Sequence, residues 1–387
     1  MRTARALALL LLGAGIFSGC GDSVRKLRLV TLTDLTGPYA AFGDGIRKAA
    51  DLALEEHRLA LEKAGWYVEL TAYDARGSVQ DFAASVSRIA SQPDVFCGIF
   101  HTDTSKIFSA IPLLRMAGIP AVFPADTTPV PEDDRPSGIL WLSPDDTIHG
   151  AADAEWAAAD GFTEVFMLAE SGGHSQAIAD GFLQRAETLA LPVTVFPLSP
   201  QQYSSAWILS FNNAAPRLVY YSGSADALPA LLADLERLGF QGSFFYAEGE
   251  AEDRLPTSAE SDTIRFIFSP AAYHSEDFIR DEPFAEKYRG AYEADPPPLS
   301  ELGFDAAALC LQPLLHAGAG DPDPSVPREA IRSAWRSGGT WEGFGGLYFL
   351  NGRRSCRTWI YTIPHGSLSD GVPVLEPYLP AAKPAAC

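Results

Sequence analysis

The sequence predicts an α/β fold made of two doubly wound, Rossmann-like lobes. From Leu27 onwards, short apolar runs of strand-like period alternate with longer runs of helical period, the pattern of repeated β-α-β units. The alternation restarts after a loop rich in proline and aspartate, residues 129–136, so we expect a second sheet. From Pro283 onwards, three helical stretches precede two extended segments, which suits two lobes with several crossings between them.

The predicted elements follow one another with short connections. Predicted strands cover residues 27–32, 67–73, 95–100, 119–123, 139–142, 165–168, 193–196, 218–221 and 244–246, with later extended segments at 347–350 and 358–362. Predicted helices begin near Asp44 and then cover 82–90, 107–114, 148–159, 178–189, 206–212, 228–238, 283–292, 302–315 and 328–335. Pro112 lies inside the third of these helices, where we expect a kink.

Two small polar clusters follow neighbouring predicted strands. The first covers residues 102–105 and the second covers residues 125–128; both are rich in Thr, Ser and Asp. The carboxyl ends of parallel strands meet at one edge of a sheet, and such sheets bind ligands there. The clusters therefore predict a site for a small anion such as a carboxylate. The alternative is structural, since Ser, Thr and Asp after a strand are ordinary helix caps.

Composition narrows the class of protein. The chain has 387 residues, 47% of them hydrophobic and 20% charged, which fits two to three globular domains. A formal net charge of −20 argues against binding of nucleic acid and against electrostatic adhesion to anionic lipid. The cysteines and histidines show no metal-binding spacing and no phosphate-binding loop is present, so we expect no metal and no cofactor.

The N-terminus has the features of a targeting segment. Residues 1–5 carry two arginines, residues 6–17 form an apolar run too short to span a bilayer, and small residues precede Cys20. This arrangement resembles the bacterial lipoprotein signal, so we expect a signal peptide at 1–19, a lipidated Cys20 and a tether at 20–26. The mature protein is then periplasmic and anchored to a membrane through its lipid alone. The alternative is a plain secretory signal in which the cysteine is incidental.

Export places the remaining cysteines in a compartment where disulfides persist. They are Cys97, Cys310, Cys356 and Cys387, which allow three full connectivities, and the sequence selects none of them. Cys97 lies in a predicted buried strand and Cys310 in a predicted buried helix. We therefore interpret both as small core hydrophobes.

Eight segments, in order, resemble the leucine/isoleucine/valine-binding protein family between about residues 27 and 349. They are LTGPYAAFGDGIRKAADLAL, YDARGSVQDFAASVSRIAS, GIFHTDTS, FPADTTP, LSPDDTIHG, LVYYSG, FFYAEG and LGFDAAALCLQPL. The resemblance implies the type I periplasmic binding protein fold, in which two doubly wound lobes are joined by three hinge strands and close on a small ligand. It places lobe 1 at 27–143 plus 272–350, and lobe 2 at 144–271 plus 351–387.

The resemblance also implies a set of ligand-binding residues. Family positions that bind an α-carboxylate match Thr102, Thr127 and the backbone of Ala125, and a hydroxyl donor to a carboxylate makes a charge-assisted hydrogen bond. The acid that receives the α-ammonium matches Glu248, which has the alternative interpretation of a surface loop charge. The aromatic residue of the first loop matches Phe42.

Several positions depart from the family pattern. His174 and Ser224 stand at or beside positions where the family has aromatic residues, and Asp126 stands where the family has a small residue. Smaller side chains in the wall of the pocket and an extra carboxylate suit a ligand larger or more polar than leucine. Asp126 has the alternative role of capping a turn. His149 stands where the family has glutamine, and we interpret it as a helix residue of the second lobe.

The resemblance implies a binding protein that delivers an amino acid or a related small polar molecule to an ABC permease complex. We expect a monomer that is not an enzyme, because GxSxG and HExxH patterns are absent and the Ser/His loop at 171–175 has no identifiable orienting partner. A sensor of amides or amino acids for a signalling partner is the alternative on the same fold.

Overall fold

The chain folds around two mainly parallel sheets. The computed structural model describes residues 25–37, 39–125, 127, 138–171, 173–199, 206–214, 216–247, 263–269, 283–297, 299–317, 323, 325–344, 347–349, 359–362, 368–369, 372–373 and 376–380. The expected signal peptide and several residues singled out from the sequence lie outside these ranges, namely Cys20, Asp126, Glu248, Cys356 and Cys387.

The first sheet contains five parallel strands in the order β2-β1-β3-β4-β5. Its strands are β1 (Arg25–Thr33), β2 (Trp66–Asp74), β3 (Val95–His101), β4 (Ala121–Phe123) and β5 (Ile139–Trp141). The connecting helices are α1 (Ala40–Lys63), α2 (Val79–Ala90) and α3 (Thr104–Ala117). Separate apolar clusters cover the two faces of the sheet, as a doubly wound lobe requires.

Local signals explain where α2 and α3 begin and end. Ser78 and Asp81 form a reciprocal capping box at the start of α2, and the Asp103 side chain accepts a hydrogen bond from the backbone of Lys106 at the start of α3. Gly118 ends α3 with a left-handed φ of 62°, a conformation that glycine adopts without steric cost. The helix runs through Pro112 without ending there.

The second sheet begins with a parallel set in the order β10-β9-β8-β6-β7. These strands are β6 (Val165–Glu170), β7 (Val193–Leu198), β8 (Leu218–Ser222), β9 (Gly242–Ala247) and β10 (Ile264–Ser269). Helices α4 (Asp146–Ala159) and α5 (Gly173–Thr188) contribute to one apolar cluster, while α6 (Trp207–Ala214) and α7 (Leu228–Arg237) contribute to another.

The C-terminal third of the chain adds helices to the first lobe and strands to the second sheet. Helices α8 (Pro283–Tyr292), α9 (Ser300–Leu311) and α10 (Ser325–Arg336) share the core of the first sheet, and a 3₁₀ helix follows α9 at Gln312–His316. The remaining strands are β11 (Thr340–Glu342), β12 (Leu347–Phe349), β13 (Trp359–Thr362), β14 (Leu368–Ser369), β15 (Val372–Pro373) and β16 (Glu376–Pro380). Strands β13 and β16 add to the second sheet antiparallel, beyond β10.

The order of the elements makes the described chain pass between the two lobes three times. It crosses from β5 to α4, returns from β10 to α8, and crosses again from β12 to β13. Thus segments distant in sequence complete the core of the first lobe and the strands of the second sheet. The Trp66 indole nitrogen, for example, donates to the Leu314 carbonyl at 3.0 Å.

The structure differs from the sequence expectations at two helix starts, at several strands and at one pair of cysteines. Helix α1 begins at Ala40 and not near Asp44, and α5 begins at Gly173 and not at Ile178. Strands β10, β11, β14, β15 and β16 are absent from the predicted elements. The interpretation of Cys97 and Cys310 as free core hydrophobes is wrong, because both are buried but are joined in a disulfide.

Candidate functional site

The carboxyl edge of the first sheet carries the expected anion-binding residues of the first lobe. Thr102 directly follows β3 and is 8% exposed, and Ala125 and Thr127, both half-buried, follow β4. Phe42 lies in the first turn of α1, half-buried against the lobe core, with its ring centroid 6.5 Å from that of Tyr39. The structure therefore brings all four residues to one edge of one lobe.

A lysine that the sequence analysis did not single out holds Thr102. The Lys106 ammonium, on the first turn of α3, donates to the Thr102 hydroxyl oxygen at 3.3 Å and to the Ala75 carbonyl at 3.3 Å. It also pairs with the Asp103 carboxylate at 3.1 Å. Because the Thr102 oxygen accepts this bond, its own hydroxyl hydrogen is available to donate to a ligand. The neighbouring residue, Asp103, has the structural role of a helix cap, because its side chain caps α3.

The turn after β4 touches the start of the second lobe. The Thr127 carbonyl accepts a hydrogen bond from the backbone nitrogen of Asp146 at 3.0 Å, and the Ser143 hydroxyl donates to the Pro124 carbonyl at 2.9 Å. The N-terminus of α4 is thereby fixed against the first lobe. Asp126, between Ala125 and Thr127 in the sequence, lies outside the described residues.

His174 lies in the first turn of α5, and not in a loop. Its Nδ1 is 2.8 Å from the Asp146 Oδ1, and its side chain is 31% exposed while that of Asp146 is 5% exposed. Helices α4 and α5 approach closely enough for this pair because both have glycine at the contact. A Cβ on Gly150 would lie 1.9 Å from the Ile178 carbonyl oxygen, and one on Gly181 would lie 2.2 Å from that of Thr147.

Ser224 follows β8 and caps a short 3₁₀ helix at Ala225–Ala227, where its hydroxyl accepts from the backbone of Asp226 at 3.2 Å. The Tyr221 hydroxyl lies 2.9 Å from the Ser224 carbonyl and 2.8 Å from the Oε1 of Glu170. Glu170 is the last residue of β6 and is 7% exposed. This buried acid is a second site residue that sequence reasoning missed.

A sealed polar cluster lies behind this edge. The His149 Nε2 is 2.6 Å from the Ser269 hydroxyl, and the Tyr220 hydroxyl donates to the Oδ2 of the Asp153 carboxyl group at 2.8 Å. Burial lowers the pKa of His149 to about 3, with a further contribution from the charge of His174, and burial raises the pKa of Asp153 to about 8. Because both side chains are fully enclosed, the cluster is part of the interior of the lobe, and His149 is a helix residue of α4.

The described residues connect the two lobes at one point of the candidate site. Thr127 in the first lobe contacts Asp146 in the second, and Asp146 contacts His174. The carboxyl ends of β6 and β8 contribute Glu170 and Ser224 to the second lobe's edge. Two α/β lobes crossed repeatedly by one chain thus place polar side chains at the carboxyl edges of their sheets, where open α/β sheets bind small ligands.

Comparisons with known proteins agree with this architecture. The family model described as periplasmic binding protein matches residues 26–366, so the chain belongs to that family. No match was found among curated proteins. The family assignment confirms the predicted fold class and the resemblance noted from the sequence.

Three solved structures illustrate the similarity of fold. A substrate-binding protein of an ABC transporter from Desulfitobacterium hafniense, in complex with Leu, is 16% identical, with a TM-score of 0.69 and coverage of 91% of this chain and 100% of that one. The leucine-binding protein LivK from Thermotoga maritima is 21% identical, with a TM-score of 0.67 and coverage of 90% and 97%. A solute-binding protein from Rhodopseudomonas palustris, in complex with 3,4-dihydroxybenzoic acid, is 16% identical, with a TM-score of 0.67 and coverage of 93% and 99%.

Within the described ranges, no helix combines the length and apolar character needed to cross a membrane. In the same ranges, His, Cys, Asp and Glu side chains form no group of three or more that could hold a metal ion.

Proposed function

We propose that this protein captures an amino acid or a related small polar molecule between its lobes and delivers it to an ABC importer. The observation that carries the proposal is the Thr102 hydroxyl, which accepts from the Lys106 ammonium and so presents its hydrogen as a donor at the edge of the first sheet. The structural neighbours whose names mention ABC transporters support the delivery step. The function proposed is binding and not catalysis.

The ligand bridges the lobes through its two charged ends. The carboxylate binds the hydroxyls of Thr102 and Thr127 and the backbone of Ala125, and a charge-assisted hydrogen bond of this kind contributes about 1.5–3 kcal/mol. Glu248 of the second lobe receives the α-ammonium. Because each lobe holds one end, only a ligand with both ends draws the lobes together.

The remaining assignments follow from the sequence. The mature protein is a monomeric periplasmic lipoprotein held by Cys20. Lobe 1 comprises residues 27–143 and 272–350, and lobe 2 comprises residues 144–271 and 351–387. The partition of the sheets and helices supports these boundaries.

A thermal-shift screen of the lipid-free mature protein tests the proposal. A ligand at 100 times its dissociation constant adds about 2.7 kcal/mol to the free energy of unfolding. We expect at least one α-amino acid to raise the melting temperature. Glu248→Gln should weaken binding of that amino acid by about one to two decades in Kd, and binding of its deaminated analogue should not change. If no α-amino acid binds the wild type, the ligand class is wrong.

A further inference from the structure

Glu170 is a carboxylate buried at the ligand-facing end of the second sheet. The residue is 7% exposed, and its Oε1 accepts a hydrogen bond from the Tyr221 hydroxyl at 2.8 Å. No described residue donates a hydrogen bond to its other oxygen, Oε2, which is not among the atoms sealed from solvent. The side chain therefore has one oxygen fixed by the protein and one available to a ligand at the edge that also carries Ser224 and His174.

No basic side chain in the described part of the chain forms an ion pair with Glu170. The basic residues with ion pairs in the second lobe have other partners: Arg185 pairs with Glu155, Arg237 with Asp234, Arg265 with Asp160, and His174 with Asp146. In the first lobe, Lys106 pairs with Asp103. The negative charge of Glu170 is thus left to solvent and to a single neutral donor, Tyr221.

Closure of the lobes around a ligand would remove water from the Glu170 carboxylate, which is unfavourable unless the ligand brings a positive charge to it. A carboxylate that loses its remaining water without gaining a positive partner is strongly destabilised, whereas a cation that arrives with the ligand removes that cost. In the proposed function, the α-ammonium is already received by Glu248. A second positive group on the ligand is therefore the partner that Glu170 lacks.

We infer that the ligand is a basic amino acid, such as lysine or ornithine, whose side-chain ammonium is received by Glu170. The inference rests on the proposed function, which assigns the α-carboxylate to Thr102 and the α-ammonium to Glu248. The Tyr221 hydroxyl holds the acid in place, so Oε2 is ordered before the ligand binds.

L-lysine and L-norleucine are the probes that test this inference, because they differ only in the ε-amino group. Calorimetric titrations use the full mature chain as wild type, Glu170→Gln, Glu170→Asp and the control Glu187→Gln. Glu187 is an exposed acid in the last turn of α5, at the opposite end of that helix from His174. Gln keeps an acceptor oxygen for Tyr221, and equal melting temperatures of the free proteins verify that the variants fold.

We expect the wild type to bind lysine about ten to a hundred times more tightly than norleucine. Glu170→Gln should lose that preference through weaker lysine binding alone, Glu170→Asp should keep part of it, and Glu187→Gln should match the wild type.

Two results overturn this inference and leave amino-acid binding in place. One is a wild type that binds norleucine as tightly as lysine. The other is equal weakening of both probes by Glu170→Gln, which would assign the α-ammonium to this acid. If neither probe nor any other α-amino acid binds the wild type, the proposed function and this inference fail together.

Discussion

Cys97 of β3 and Cys310 of α9 are joined by a disulfide, with their Cα atoms 6.1 Å apart and a separation of 213 positions in sequence. Both residues are fully buried in the core of the first lobe. The bond ties the first sheet to a helix that joins this lobe only after the chain has built the five parallel strands of the second sheet. A crosslink of this span restricts the unfolded chain more than it restricts the folded one.

Loss of this disulfide should lower stability. We expect the double variant Cys97→Ala/Cys310→Ala to lose about 2–4 kcal/mol of unfolding free energy in urea titrations, because its unfolded ensemble gains the entropy of an open loop. A reductant should bring the wild type towards the same value and leave the double variant unchanged. A wild type that is indifferent to reductant under unfolding conditions contradicts the disulfide.

The buried pair His149 and Asp153 should give stability an unusual dependence on pH. The folded pKa of Asp153 is raised from 3.8 to about 8, so between these values the folded protein keeps a proton that the unfolded chain releases, and stability falls as pH rises. The folded pKa of His149 is lowered from 6.5 to about 3, so between these values stability rises with pH.

The two effects oppose each other up to pH 6.5, and above it only the loss from Asp153 remains. Between pH 6.5 and 8, we expect deprotonation of Asp153 to lower the free energy of unfolding by up to about 2 kcal/mol, at about 1.4 kcal/mol per pH unit for one proton. Asp153→Asn should remove that slope, as measured by urea unfolding at both pH values and constant ionic strength. The exposed-acid variant Glu187→Gln should keep it, and a slope unchanged in Asp153→Asn would disprove the assignment.

The sequence predicted most of the fold because buried parallel strands have a simple signature. Strands such as β3 and β6 are apolar throughout and end in polar turns. The predicted start of α1 lies too late in the chain, and the residue before this helix, Tyr39, makes no side-chain capping bond that would mark the start. Strand β10 alternates Ile264, Phe266 and Phe268 with other residues, so the sequence does carry a strand-like period there.

The candidate site was predictable only in part. Thr102 and Thr127 follow strands, so their place at the sheet edge can be read from local pattern. Lys106 and Glu170 have roles that depend on partners distant in sequence, the Ala75 carbonyl after β2 and the Tyr221 hydroxyl of β8. A single sequence carries no local signal for such contacts. Glu248 remains a prediction, since it lies outside the described residues.

Replacement of Cys20 tests the lipid anchor. If this cysteine carries acyl chains, Cys20→Ser should move the protein from the membrane fraction to the soluble periplasmic fraction, because the chains provide the only membrane affinity we expect. The purified variant should unfold at the same temperature as the lipid-free wild type, which shows that the change acts on anchoring alone. Unchanged fractionation would remove the lipoprotein assignment and leave the fold untouched.

Two threonines of the first lobe form a matched pair for testing the carboxylate site. The Thr102 hydroxyl accepts from Lys106 and is proposed to donate to the ligand carboxylate, whereas the fully buried Thr31 hydroxyl has no hydrogen-bond partner among the described residues. Valine has nearly the shape of threonine and lacks the hydroxyl. Thr31→Val therefore removes an unsatisfied polar group and should leave stability unchanged or raise it.

Thr102→Val should instead weaken binding of the amino acid that stabilises the wild type most. We expect a loss of about 1.5–3 kcal/mol, or about one to two decades in Kd by calorimetry, since the hydroxyl bonds to a charged group. The α-carboxamide of the same amino acid, which lacks that charge, should lose less. Thr31→Val should bind both compounds as the wild type does. Equal affinity of Thr102→Val and Thr31→Val for the amino acid would place the carboxylate elsewhere in the cleft.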